Sequence, residues 1–177
     1  MLRDLSLGTC ILVSTKHTNR MKKLTKKINK NTVLLILGSF PSAISLKERQ
    51  YYANTHNQFW RIISYVLKKD LIRMSYNKKI EILLQNGIGL WDVLASCDRR
   101  GSEDNTIRNA KVNKFNDLFK KFPNIKAIFC NGKEAWKYYV KNVRASADVM
   151  CLPSSSSAYP MSLMEKRKKW NAIKKYL

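Results

Sequence analysis

The run Val33-Leu34-Leu35-Ile36-Leu37 leads without a break into Gly38-Ser39-Phe40-Pro41-Ser42, and the reading of this stretch decides the fold. Consecutive apolar residues with no polar alternation suit a strand covered on both faces, as in a parallel sheet. The strand stops at Gly-Ser-Phe-Pro. Glycine lets another group approach the backbone closely, and proline stiffens a turn without needing a partner for its nitrogen. The block Tyr51-Tyr52-Ala53-Asn54-Thr55-His56-Asn57-Gln58-Phe59-Trp60 follows. A loop so dense in aromatics and amides is suited to receiving a flat polar ring.

Working outward, three more short apolar runs read as strands: 88–91, 126–130 and 148–152. Helical stripes lie between them. Phe59, Ile62, Ile63 and Val66 recur at helical spacing, as do Ile80, Leu83 and Leu84 between Ser75 and Gly87. Phe115, Leu118, Phe119 and Phe122 form a third stripe, ended by Pro123, and Trp136, Tyr139, Val140 and Val143 a fourth. The last helix opens on Ser162-Leu163-Met164-Glu165, a capping box, and should carry Trp170, Ile173 and Leu177 inward. The alternation predicts an α/β fold: a three-layer α/β/α sandwich around a central, mainly parallel four-stranded sheet. Ligands of open parallel sheets bind beyond the carboxyl ends of the strands. Gly38-Ser39-Phe40-Pro41, Asp92, Asn131-Gly132 and Pro153-Ser154-Ser155-Ser156-Ser157 should therefore meet on one edge.

At 177 residues the chain suits one folded domain, expected over 31–177, with residues 1–30 an extension outside the core. Lys22, Lys23, Lys26, Lys27 and Lys30 make the second half of that extension a basic arm. A formal charge of +22, with only 12 acidic residues, points to a polyanion as partner. No stretch is long and apolar enough to read as a membrane-spanning helix. The four cysteines, at 10, 97, 130 and 151, have neither zinc-knuckle nor iron–sulfur spacing, so no metal is expected. Cys130 and Cys151 end strands and read as small core residues, and reduced thiols suit a cytoplasmic protein.

Each candidate in the polar edge has a second reading. Asn57 and Asn54 can orient a water or read a base edge, but Asn57 also stands where a helix N-cap belongs. Neutral asparagine cannot act as a general base. Phe40, Tyr51 and Tyr52 can stack on a ring or pack the core. His56 reads as an exposed loop residue, and Asp92 as an acid–base group or a turn carboxylate. The serine run 154–157, followed by Lys166, Arg167, Lys168 and Lys169, can cradle a phosphodiester or serve as a linker.

Gly38-Ser39-Phe40-Pro41-Ser42, Tyr51-Tyr52 and Asn57-Gln58-Phe59-Trp60 together resemble the first motif of the uracil-DNA glycosylase superfamily, most closely its hypoxanthine (deoxyinosine) DNA glycosylase branch. Trp91-Asp92-Val93 and Arg100-Gly101-Ser102-Glu103-Asp104 are similar to that branch's middle segment, and Leu152-Pro153-Ser154-Ser155-Ser156 to its second motif. The resemblance implies a monofunctional DNA glycosylase, monomeric and without cofactor, acting on double-stranded DNA that contains a deaminated base. It implies catalytic roles for Asn57 and Ser39, and base-binding roles for Gly38, Phe40, Pro41, Tyr51, Tyr52 and Asn131. It also implies DNA contacts from Ser154, Ser155, Ser156 and Lys166. Ser39 stands where uracil-excising relatives carry asparagine, which makes hypoxanthine the expected substrate and uracil secondary. A mismatch-specific uracil glycosylase and a non-catalytic DNA-binding module on the same fold are the alternatives.

Overall fold

A computed structural model describes residues 23–177. Its centre is a sheet of four strands, β1 (Leu34–Gly38), β2 (Ile88–Asp92), β5 (Ala127–Asn131) and β6 (Asp148–Leu152), in the order β2-β1-β5-β6. Every pairing is parallel, with Leu34 opposite Ile88 on one side and Ala127 on the other. The four strands expected from the apolar runs are all present.

Period-two alternation splits the sheet between two cores. Leu34, Ile36, Leu90 and Phe129 face α2 (Phe59–Leu67), α3 (Tyr76–Gln85) and α6 (Leu163–Trp170), where Phe59, Ile62, Ile63, Leu83 and Trp170 receive them. Leu35, Leu37, Ile128 and Cys130 face α4 (Phe115–Lys121) and α5 (Lys133–Asn142), against Phe115, Leu118 and Tyr139. Leu34 to Leu37 are each 0% exposed, each worth about 1.5–3 kcal/mol of burial. A short helix, α1 (Ala43–Glu48), follows the first turn and is capped by the Ser42 side chain. The capping box at Ser162 and Glu165 forms as expected, and Ser75 caps α3. A 3₁₀ helix, Asn171–Tyr176, ends the chain; it buries Ile173 but leaves Leu177 48% exposed, so the inward stripe stops one turn short of the expected end. Val140 and Cys151 are likewise exposed rather than buried, because α5 turns its Val140 face outward and β6 is an edge strand.

Two features depart from the sequence reading. An antiparallel hairpin, β3 (Leu94–Asp98) and β4 (Arg108–Val112), follows β2. Its ladder shifts register twice and its side chains are mostly polar and half-exposed, so no hydrophobic alternation announces it. Its start is fixed by backbone bonds from Val93 N to Gly38 O (2.8 Å) and Leu94 N to Ser39 O (3.0 Å). The second departure is the basic arm. Residues 1–22 lie outside the described residues, but Leu24 is 7% exposed within the core, and Lys27 and Leu90 exchange two backbone hydrogen bonds of 2.9 Å. The segment from Leu24 to Lys27 therefore covers the open edge of β2, and the core begins before residue 31. Leu24→Ala should lower stability by about 2–3 kcal/mol, read as a shift of the urea midpoint at unchanged slope.

Candidate active site

The carboxyl ends of the strands surround a cleft of about 180 Å³ lined by the four polar segments and by Tyr51, Tyr52, Asn54 and Asn57. A larger groove of about 650 Å³ lies between Trp91, the hairpin and α4. That groove gathers lysines but none of the four segments, so the smaller cleft is the candidate site.

Asn131, the last residue of β5, joins its walls. Its Nδ2 donates to Tyr52 Oη (3.0 Å) and to Ser155 Oγ (2.8 Å), while its Oδ1 accepts from Ser155 N (2.8 Å). Ser155 Oγ in turn donates to Asn57 Oδ1 at 2.9 Å. Asn57 Oδ1 also accepts from Phe59 N, the first residue of α2, at 3.0 Å. One Asn57 oxygen thus binds the first amide of the helix, from the residue before the cap position Gln58, and meets the serine loop, while Nδ2 makes no hydrogen bond among the described residues, on a residue that lines the cleft. Gly132, at φ 99°, lies where any Cβ would meet Ser154 at 3.1 Å, so the turn after β5 needs glycine to admit the serine loop.

The first loop is held from the hairpin. Arg99, whose side chain is 1% exposed, donates to Phe40 O (3.2 Å) and Pro41 O (2.6 Å) and pairs with Asp104 at 3.0 Å. Its guanidinium also lies 5.4 Å from the Phe40 ring centroid. Ser39 Oγ donates to Asp104 Oδ2, so the serine's proton is committed and its lone pairs remain. Arg99 was invisible as a candidate because it stands in a polar stretch, and Asp104 entered only as part of a motif.

Asp92 ends β2 at 5% exposure; its carboxylate lies beside the Tyr51 hydroxyl and makes no hydrogen bond of normal geometry among the described residues. It lies so close to Gly38 that a Cβ there would meet Asp92 Oδ1 at 2.9 Å. Burial pushes its pKa up to about 7, an effect opposed by the nearby Tyr51 hydroxyl and by Arg99. Tyr51 Oη is itself buried without a hydrogen bond of normal geometry, and burial followed by the Asp92 charge drives its pKa far up. Burial also raises Tyr52.

Every site residue expected from the sequence lines this cleft except Lys166, but several do so differently from the expectation. Tyr51 is 3% exposed and Phe40 5%, and Tyr52 stacks one face on Phe59 at 3.7 Å, so core packing claims most of their ring surface. Ser155 is 0% exposed and serves as an internal joint, leaving half-buried Ser154 and Ser156 and exposed Ser157 as the loop's accessible residues. Lys166 is 0% exposed as well, and its Nζ donates to Gln58 Oε1 and Ser156 O. It cannot reach a phosphate; Lys168 and Lys169 are the exposed cations of that helix.

Residues 25–177 match the family model of the uracil DNA glycosylase superfamily. The chain belongs to that superfamily. A hypoxanthine DNA glycosylase of Methanosarcina acetivorans is 36% identical over 146 residues, covering 82% of this chain and 92% of its own length. One of Methanosarcina barkeri is 36% identical over 143 residues, 81% of this chain and 90% of its own. A solution NMR structure from M. acetivorans, assigned to uracil DNA glycosylase, superposes with a TM-score of 0.77 at 34% identity, covering 86% of this chain and 95% of that one. The resemblance read from the motifs is borne out, and the protein stands among the DNA glycosylases. Among the described residues no helix is long and apolar enough to cross a membrane.

The buried carboxylate of this cleft should be legible in a pH titration of stability. Asp92's folded pKa, about 7, exceeds the roughly 4 of an unfolded aspartate, so between those values the native state holds the extra proton. Stability contributed by this group is present at low pH and lost as pH rises through about 4 to 7. Asp92→Asn should therefore gain in melting temperature on the parent between about pH 5 and pH 8, measured by thermal unfolding at both.

Proposed function

We propose that this glycosylase removes hypoxanthine from deoxyinosine in double-stranded DNA, with uracil as a slower substrate, as the opening step of base excision repair. The reading rests on one observation above the others: a buried Asp92 carboxylate, beside the Tyr51 hydroxyl and with no salt bridge among the described residues, lining a cleft that holds Asn57 and Ser39. A carboxylate accepts and does not donate. Deamination converts the acceptor edge of adenine into the N–H and C=O of a lactam, and above about pH 7, where Asp92 is ionised, its carboxylate favours that N–H and opposes adenine's bare ring nitrogen. The names carried by the two Methanosarcina relatives support the same substrate.

Extruding a base costs a few kcal/mol, least at a mispair, so damaged sites enter the cleft more readily. The glycosidic bond then breaks ahead of water attack, and its electron pair leaves with the base. The water is held by the free Asn57 Nδ2 and by the lone pairs of Ser39 Oγ. As its oxygen bonds to the sugar carbon, its proton passes to Ser39 Oγ while Ser39's own proton passes to Asp104, its hydrogen-bond partner. The relay needs only a weak base, because an oxocarbenium–water adduct is strongly acidic.

Duplexes carrying inosine, uracil, xanthine or adenine at one position test the proposal: after incubation and alkali, strand scission should be fastest with inosine, slower with uracil and absent with adenine. Scission of none of them leaves a DNA-binding module as the reading. Asn57→Ala should cut single-turnover excision by about 100-fold or more, far beyond its effect on affinity for DNA. A loss of only about 1 kcal/mol of stability, with excision intact, would leave Asn57 as a cap. Ser39→Asn should raise uracil excision relative to inosine; an unchanged ratio would show that Ser39 only shapes the turn.

A further inference from the structure

α6 presents Lys168 and Lys169 to solvent, yet between them and the capping box one lysine is fully enclosed. Lys166 Nζ donates to Gln58 Oε1 at 2.8 Å and to Ser156 O at 2.7 Å, and it lies 5.6 Å from the Tyr159 ring centroid. Its three donor directions are thereby occupied by two neutral oxygens and a π-face, with no carboxylate among the partners. Enclosing an ammonium without a counter-charge is expensive, and a methionine or leucine would fill the same space at less cost. Burial accordingly lowers the Lys166 pKa. A group so poorly suited to stabilising the fold has to be explained by what it holds.

Its two acceptors answer that. Gln58 directly follows Asn57, and Ser156 directly follows Ser155, while Asn57 and Ser155 meet in the cleft at 2.9 Å. A backbone bond from Gln58 N to Ser155 O, 2.9 Å, ties the same two segments. Lys166 spans them from behind. We infer that Lys166 is a positioning residue, an ammonium strut that sets the distance between the Asn57 segment and the serine loop and so fixes the Asn57 carboxamide for bond breaking. The inference rests on the glycosylase reading above for its catalytic consequence, and on the contacts alone for the strut.

Lys166→Met in the full chain tests it, with Gln58→Leu as a second variant that removes one acceptor and leaves the Ser156 bond. Single-turnover excision of inosine from duplex DNA should fall about 10- to 100-fold in Lys166→Met, the scale of a misplacement near 1 Å. The melting temperature should hold or rise. Affinity for a duplex with an uncleavable abasic analogue, and its salt slope, should stay unchanged, since the ammonium touches no phosphate. The Lys166→Met/Gln58→Leu double variant should lose much less than the product of the single losses, because both act through one contact. Hydrogen exchange at the Gln58 amide should quicken in either variant. Unchanged excision with slow Gln58 exchange overturns the strut. So does an excision loss that only tracks a fallen melting temperature, or a salt slope shallower by about 0.9, which would mark a phosphate contact. If the parent protein excises no base, the glycosylase reading fails, and the exchange at Gln58 still decides whether the strut exists.

Discussion

The Asn131 carboxamide is the joint on which the cleft depends. It uses both ends at once, donating to Tyr52 and Ser155 and accepting from the Ser155 backbone. Because it terminates a strand that is paired on both sides, its position is set by the sheet rather than by a loop. Two loops about a hundred residues apart in sequence are thereby referred to one rigid point. The bonds run in one chain from Tyr52 through Asn131 and Ser155 to Asn57, so a fault at any member would be felt at the others.

The remaining walls follow the same rule of anchoring a loop segment on a buried polar group. Arg99 holds the carbonyls of Phe40 and Pro41 from the hairpin side. Lys166 holds the carbonyl of Ser156 from the helix side, and the Trp170 indole holds Pro153 O at 2.9 Å. Arg99 and Lys166 direct their charge at protein oxygens. The strong positive charge of the chain is thus of two kinds, a solvated surface and a small number of enclosed cations with structural work.

The sheet was legible because its strands are continuous apolar runs, and no helix or loop pattern competes with Leu34 to Leu37. The convergence of four polar segments followed from the parallel topology alone. What could not be read is where polar side chains turn. Ser155 and Ser156 are adjacent and chemically identical, yet one is sealed and the other half-buried, a difference set by Asn131 and not by local sequence. Lys166 looked like its basic neighbours because helical spacing, not composition, places it on the inner face. The hairpin from Leu94 to Val112 escaped because its ladder is held by backbone bonds, with little apolar alternation to betray it.

The pairing of Lys27 with Leu90 has a consequence for how the chain comes off the ribosome. The arm that guards the β2 edge is made before β1, and β2 follows some sixty residues later. When β2 emerges and docks on β1, the strand-like segment that will cover its outer edge is already in solution and tethered nearby. The outer edge of β2 therefore need not wait uncovered for a partner, the state in which growing chains are most prone to pair with one another, and only the β1 edge that receives β5 stays open for longer.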